Sequence, residues 1–214
     1  MDGNGRWAKR NNLKKKEGHK AGIKACIKLI KNLNKLDVHV RELSFYVFSS
    51  ENWKRSLSEI KNLFDLIEEY YHEFEMTAQN YNLKIRHYGS RKKLSKKILG
   101  IIDDVTKKTE KNTSNCINLV FNYGSRDEII NSIKKLKSKK INTKNFTNGL
   151  YTSSSEDPDL IVRTGGELRL SNFMLWQSAY SELYFTKKLW PDFNVNDLKK
   201  ILINYKKRKR NYGR

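Results

Sequence analysis

Apolar residues follow two rhythms along this chain. Short apolar runs, rich in β-branched and aromatic residues and bounded by polar or glycine-containing segments, occupy residues 43–48, 83–88, 117–121, 160–163 and 182–185. Such runs read as buried strands. Between them, apolar positions recur at spacings of three and four: Ile23, Ile27, Ile30 and Leu33; then Ile60, Leu63, Phe64, Ile67, Tyr71 and Phe74; then Leu94, Ile98 and Ile101; then Ile129, Ile130 and Ile133. That spacing places them on one helical face each. Ser171 is placed to cap a further apolar helix over residues 173–179. Alternation of strand and helix predicts an α/β fold: a single domain over residues 1–214, with a mostly parallel central sheet and helices on both faces. Ligands of such sheets bind beyond the carboxyl ends of the strands.

Charge adds a possible class of partner. Lys and Arg number 44 against 23 Asp and Glu, a net charge of +21. A balance of this kind attracts polyanions. Most of the basic residues are lysine and asparagine is abundant, a pairing typical of A- and T-rich coding, so a solvated lysine surface explains the excess as well as a polyanion partner does. Nucleic-acid binders interleave arginine and aromatic residues on one face; here the positive charge lies in lysine-rich helices and a tail at residues 206–210. No nucleic-acid partner is expected.

Aromatic residues at 11% exclude a largely disordered chain. No run approaches the ~20 apolar residues of a membrane span, and the opening residues lack a signal peptide's pattern. Cys26 and Cys116 give neither a disulfide framework nor zinc spacing. The expectation is a cytoplasmic protein with two buried thiols.

Three strand-end or chain-end segments carry candidate chemistry. In the first, Asp2-Gly3-Asn4-Gly5-Arg6, two glycines leave backbone N–H groups open to an anion, and a following helix adds its positive end. A carboxylate beside a phosphate makes sense mainly with Mg²⁺ between them. Taken alone, the segment reads more readily as an ordinary turn. The second is Ser49-Ser50-Glu51-Asn52-Trp53-Lys54-Arg55, where a surface loop would explain the polar residues but not Trp53. In the third, Arg163 and Arg169 flank Gly165-Gly166 with Ser171 close by, a plausible diphosphate clamp because guanidinium forks match phosphate oxygens. A solvated basic loop is the competing account.

Read in order, Met1-Asp2-Gly3-Asn4-Gly5-Arg6-Trp7-Ala8, Gly18-His19-Lys20-Ala21-Gly22, Phe48-Ser49-Ser50-Glu51-Asn52-Trp53, Asn122-Tyr123-Gly124, the segment from Arg163 to Phe173, Glu182-Leu183-Tyr184-Phe185 and Leu189-Trp190-Pro191-Asp192-Phe193 resemble the cis-prenyltransferases, and among them the bacterial undecaprenyl diphosphate synthases. The resemblance covers essentially the whole chain. It implies Mg²⁺-dependent condensation of an allylic diphosphate, usually farnesyl diphosphate, with successive isopentenyl diphosphates. The product would be a cis-polyprenyl diphosphate, the undecaprenyl precursor of the cell-wall carrier lipid. It also implies a homodimer, and transient contact with the inner membrane face as product leaves.

Residue by residue, the resemblance puts the allylic diphosphate on the backbone of Gly3, Asn4, Gly5 and Arg6, with Lys15 and His19 nearby and Trp7 at the entrance. Asp2 would be essential, as a Mg²⁺ ligand or in assisting diphosphate departure. Ser49, Ser50, Glu51, Asn52, Trp53 and Arg55 match the loop between the two substrates, with Asn52 assisting proton removal. Arg163, Arg169, Leu170 and Ser171 match the isopentenyl diphosphate clamp. Glu182 matches a carboxylate that completes the metal site, contributed across the dimer or from its interface strand region. The apolar helix faces around Ile23 and Ile60 would wall a channel for the growing chain.

The chain departs from the family pattern in places. Lys15 stands where arginine is usual, keeping the charge but losing the two-pronged fork. Ser125 replaces a common glycine, and Phe121 is bulky just before the Asn-Tyr-Gly segment. The family's Asp-Gly-Asn-Gly segment follows a buried apolar strand, whereas this chain begins inside the motif. The expectation is that it is an N-terminally short version of a longer polypeptide, with its first strand missing. The Asp-Asp-x-x-Asp motif of trans-prenyltransferases is absent, since Val105-Thr106-Lys107 follows Asp103-Asp104. Two further alternatives are a short-chain cis-prenyltransferase and a nonenzymatic partner-binding subunit. Retention of Asp2, Asn52, Arg163, Arg169 and Glu182 argues against the latter.

Overall fold

A computed structural model describes residues 1–136 and 140–208. Residues 209 and 210 of the basic tail lie outside the described residues. Helices α1 (Asn4–Arg10) and α2 (Lys15–Ile30) open the chain. Strands β1 (Glu42–Ser49), β2 (Lys84–Tyr88) and β3 (Cys116–Tyr123) form a parallel sheet in the order β1-β3-β2. Parallel neighbours need long crossovers. Here α3 (Leu57–Asn80) joins β1 to β2, and α4 (Lys96–Lys108) joins β2 to β3. After β3 come α5 (Ser125–Leu136) and α6 (Thr143–Thr147). A second parallel pair, β4 (Leu160–Arg163) and β5 (Glu182–Phe185), precedes α7 (Val195–Lys206).

Each expected strand is present, within two residues at either end. β3 runs through the middle of its sheet, and Ile117, Val120 and Tyr123 are fully buried. A strand covered on both faces is apolar almost continuously, which is why 117–121 reads as one run. Leu29 and Ile30 of α2, Leu198, Ile201 and Leu202 of α7, and Trp190 and Phe193 pack in one core with Phe45 and Ile117. The helical periodicities hold, with Leu33 and Leu94 falling just outside α2 and α4.

The strands are parallel throughout but fall into two groups. A cavity of about 980 Å³ runs along β1 and β4 between them. Leu43, Phe45 and Val47 of β1 line it, with Ile161 and Val162 of β4, Leu29 and Leu198. Val47 is 38% exposed although its strand lies inside the domain. Met1 lines the same cavity. Among the described residues, no strand pairs with β1 or β4 on that side.

The helix expected over 173–179 does not form; the segment is a series of turns. Ser171, Asn172 and Met174 all have positive φ, at 50°, 63° and 44°. Left-handed residues cannot start a right-handed helix. The Ser171 hydroxyl accordingly accepts from Arg163 rather than capping. Cys116 is buried, Cys26 half-buried, and both are free thiols. Burial pushes Cys26 up to about 12 and Cys116 up to about 11. Among the described residues no helix is long and apolar enough to cross a membrane.

Candidate active site

The loop before α1 is held by close packing on both sides. Gly3 has φ 113°, and a Cβ there would lie 2.9 Å from Leu189 Cδ2, so glycine is required twice over. The N–H groups of Asn4, Gly5 and Arg6 precede the first α1 hydrogen bond, from Trp7 N to the Gly3 carbonyl at 2.8 Å. Below, α1 sits in a notch on α2. A Cβ on Gly18 would fall 2.1 Å from the Asn4 carbonyl oxygen, and one on Gly22 would fall 2.4 Å from Asn4 Oδ1. That is the physical content of the Gly18-to-Gly22 motif. From the other side, Asp2 N donates to Thr164 Oγ1 at 2.9 Å, and the Asp2 carbonyl accepts from the Thr164 hydroxyl at 2.9 Å and from Trp190 N at 3.0 Å.

This anchorage aims the Asp2 carboxylate between two arginines. Oδ1 lies 3.2 Å from Arg6 Nη2, and Oδ2 accepts from Arg163 Nη2 at 3.0 Å. Burial resists ionisation, but the Arg163 hydrogen bond and the two positive charges outweigh it and hold the carboxyl below its usual range. Arg163 also donates to Ser171 Oγ at 2.8 Å and to the Arg169 carbonyl. Glu167 bridges Arg6, at 3.5 Å, and Arg169, at 2.6 Å. Arg6 of the expected allylic site is therefore connected through Asp2 and Glu167 to Arg163, Arg169 and Ser171 of the expected clamp. Arg163, Arg169, Leu170 and Ser171 line the end of the β1–β4 slot, beside Asn52.

A second cavity, about 660 Å³, is lined by Asp2, Gly3, Asn4, Gly5, Arg6, Lys9, Leu13, Lys15, His19 and Arg55. Gly3, Asn4, Gly5, Arg6, Lys15 and His19 are residues expected around the allylic diphosphate, beside Asp2; Met1, Lys9, Leu13 and Arg55 of the inter-substrate loop join them. Trp7 is the exception. Its Nε1 donates to Asp192 Oδ1 at 2.7 Å, and the indole does not line this cavity. His19 is lowered to about 4, first by burial and then by the charges of Arg55 and Lys15, so its imidazole is neutral at pH 7.

The segment after β1 folds into a short 3₁₀ turn, Ser50–Lys54. Asn52 Oδ1 accepts from Ser49 N at 3.0 Å, and the Ser49 side chain accepts from the Asn52 backbone in return. Glu51 accepts from Asn172 Nδ2 at 2.7 Å, and Ser50 donates to Glu51 at 3.3 Å. Trp53 Nε1 donates to Asn122 Oδ1 at 2.8 Å, while Asn122, with φ 54°, bonds the Ser90 and Lys92 carbonyls. Gly124 lets two loops meet over the end of β3, because a Cβ there would lie 2.3 Å from Ser50 Oγ and 2.8 Å from Asn172 Nδ2.

Glu182 is not brought to this site within one chain. It pairs in register with Leu160, whereas Arg163, the partner of Asp2, pairs with Phe185. Three residues of strand separate the two positions, about 10 Å, and Glu182 forms an ion pair with Arg208. No cluster of three His, Cys, Asp or Glu side chains suited to a metal exists among the described residues. Mg²⁺, however, commonly binds through one or two carboxylates, with phosphate oxygens and water completing its shell. Asp2, at the mouth of a cationic cavity, fits that description without Glu182.

The prenyltransferase family described as undecaprenyl diphosphate synthase matches residues 1–213. The chain belongs to this family. It is 42% identical over 223 residues to an isoprenyl transferase of Leptospira interrogans, covering all of this chain and 92% of that protein. It is 44% identical over 217 residues to an isoprenyl transferase of Treponema denticola, covering 100% and 94%. The crystal structure of lavandulyl diphosphate synthase from Lavandula x intermedia, in complex with dimethylallyl diphosphate, superposes with a TM-score of 0.94. That protein is 28% identical, and the match covers 100% of this chain and 95% of that one. The chain is thus a cis-prenyltransferase enzyme that elongates prenyl chains, on the family's α/β fold.

Several members of the site escape a reading of the sequence. Thr164 fixes Asp2, Asn172 holds Glu51, and Glu59 sits between Lys15 and Arg55. Thr164 and Asn172 fall inside the Arg163-to-Phe173 motif, which flags the segment without their roles. Glu59 lies outside every quoted motif.

Proposed function

We propose that this cis-prenyltransferase condenses farnesyl diphosphate with successive isopentenyl diphosphates, with Mg²⁺, to a long cis-polyprenyl diphosphate that serves as the undecaprenyl carrier precursor. One observation carries the reading: Asp2 lies between Arg6, which lines the allylic cavity, and Arg163, which reaches Ser171 of the opposite clamp. The diphosphate that must leave and the diphosphate that stays would then sit on either side of one carboxylate.

In this reading Gly3 to Arg6, Lys15 and Arg55 bind the allylic diphosphate, and Arg163, Arg169 and Ser171 bind isopentenyl diphosphate. Neutral His19 contributes a hydrogen bond rather than charge. Asn52 assists proton removal from a face it shares with the clamp. Arginine forks and backbone N–H groups stabilise charge on the leaving group. Mg²⁺, held by Asp2 and diphosphate oxygens, would add charge neutralisation there. Ile27 and Leu66, both buried between α2 and α3, would part to admit the growing apolar chain. Ile130 and Ile133, exposed apolar residues one turn apart on α5, suit a homodimer contact. The location would be cytoplasmic, the positive surface favouring transient contact with anionic lipid.

The deciding assay incubates the protein with farnesyl diphosphate, radiolabelled isopentenyl diphosphate and Mg²⁺ and measures product length. Long Mg²⁺-dependent products are expected. A single condensation, or elongation indifferent to chelator, would overturn the corresponding half of the reading.

A further inference from the structure

Glu59 stands in the first turn of α3 and has no assigned role above. Its Oε1 lies 2.8 Å from Lys15 Nζ and 2.8 Å from Arg55 Nη1. Both cations line the 660 Å³ cavity, whereas Glu59 stands behind them and does not. The lysine reaches the carboxylate by crossing the first turn of α1: its Cε lies 3.7 Å from where a Gly5 Cβ would be. Glu59 is mostly covered, at 21% side-chain exposure. Burial opposes its ionisation, but the Lys15 hydrogen bond and the charges of Arg55 and Lys15 outweigh that and hold it below the usual carboxylate range. The other carboxylate at this cavity, Asp2, is already engaged by Arg6 and Arg163.

We propose that Glu59 is a positioning residue for the anionic ligand of this cavity: a resident carboxylate that holds Lys15 and Arg55 while the cavity is empty and cedes them when a diphosphate arrives. The inference rests on the diphosphate reading of the cavity under Proposed function. Two consequences follow from the charges. Lys15 and Arg55 stay ordered beside the cradle, so less side-chain entropy is lost on binding. The carboxylate also competes for the same cations, which weakens retention of a diphosphate and favours its release. Lysine at position 15 suits this exchange, because a single ammonium on a flexible stem re-aims more easily than a guanidinium fork.

Calorimetric titration of the full chain with inorganic pyrophosphate tests the proposal. Glu59→Gln should bind pyrophosphate about tenfold more tightly than wild type, the scale of one like charge removed at a partly exposed site. Glu59→Asp keeps the charge and should stay within about twofold. In a Lys15→Gln, Arg55→Gln background the tightening should vanish, since it passes through those cations. The Michaelis constant for isopentenyl diphosphate should not move. A residue that merely braces α2 against α3 would give the opposite sign, with weaker binding and a lower melting temperature. Unchanged or weaker pyrophosphate binding by folded Glu59→Gln, or by Glu59→Ala if the first variant fails to fold, overturns the proposal. Pyrophosphate binding that survives loss of Arg6, Lys15 and Arg55 together would instead overturn the diphosphate reading of the cavity.

Discussion

Arg163 Nη2 donates to Asp2 Oδ2 at 3.0 Å, joining the end of β4 to the loop that precedes α1. An arginine expected to serve one diphosphate is therefore also the partner of the carboxylate expected to serve the other. The Arg169 guanidinium, by contrast, connects to Asp2 through Glu167 and Arg6. Arg169→Ala should raise the Michaelis constant for isopentenyl diphosphate and leave that for the allylic substrate nearly unchanged. Arg163→Ala should impair both substrates and kcat, because it also removes one of the two arginines that hold the Asp2 carboxylate. Each lost charge-assisted contact costs about 1.5–3 kcal/mol. Separate titration of the two substrates checks this; identical profiles for the two variants would refute the distinction.

Asp2→Asn is expected to abolish nearly all turnover with little loss of stability. The loop is fixed by backbone groups of Asp2 on Thr164 and Trp190, which the substitution leaves in place. Thermal melting should move by no more than a few degrees, the shift that about 1 kcal/mol produces in a domain of this size. Turnover close to wild type would remove Asp2 from the chemistry.

His19 makes a pH-dependent contribution of definite sign. Its folded value, about 4, lies below the ordinary 6.5. Between those values the unfolded chain binds the proton and the folded chain does not, so stability rises with pH across this window. The contribution is complete above about pH 6.5 and is lost as pH falls toward 4. Its ceiling is about 1.4 kcal/mol per pH unit, reduced in practice because the ring is partly open to solvent. Urea midpoints of wild type and His19→Gln, compared from pH 4 to 7, should converge at the acidic end. Parallel curves would contradict the shift.

The slot between β1 and β4 makes a prediction about stability. Two parallel strands line it, and an extended segment there could pair with both. Fusing about six β-branched apolar residues ahead of Met1 should raise the melting temperature by several degrees, through added backbone hydrogen bonds and apolar burial. A glycine-serine segment of equal length should not. Equal melting of the two fusions would show that the slot does not accept a strand.

The strands and main helices were legible because burial writes itself as apolar runs and periodic stripes, most continuously in β3, which is covered on both faces. The Phe173 turns were not, since an apolar composition cannot announce positive φ at Ser171, Asn172 and Met174. The site was legible as motifs: Gly3, Lys15 and His19, which come from separate motifs, line one cavity, and Arg55 of the loop after β1 joins them there. What stayed hidden was pairing at a distance. The Asp2–Thr164 bonds span 162 residues of sequence, and no local pattern encodes such a partner. Trp7 and Glu182 show the converse: a motif match does not state direction, and within the chain Trp7 bonds Asp192 and Glu182 pairs with Arg208.

The notch that Gly18 and Gly22 cut in α2 bears on how mutational scans of this enzyme should be interpreted. Neither glycine has a side chain to offer a ligand, yet alanine at Gly18 would collide with the Asn4 backbone and push the loop out of register, and alanine at Gly22 would collide with the Asn4 side-chain amide. In a scan scored by activity alone, both positions would rank with Asp2 and would be mistaken for participants in chemistry. A scan scored for folded protein as well would separate them, because these substitutions act through packing of the loop against α2, whereas Asp2→Asn leaves that packing in place.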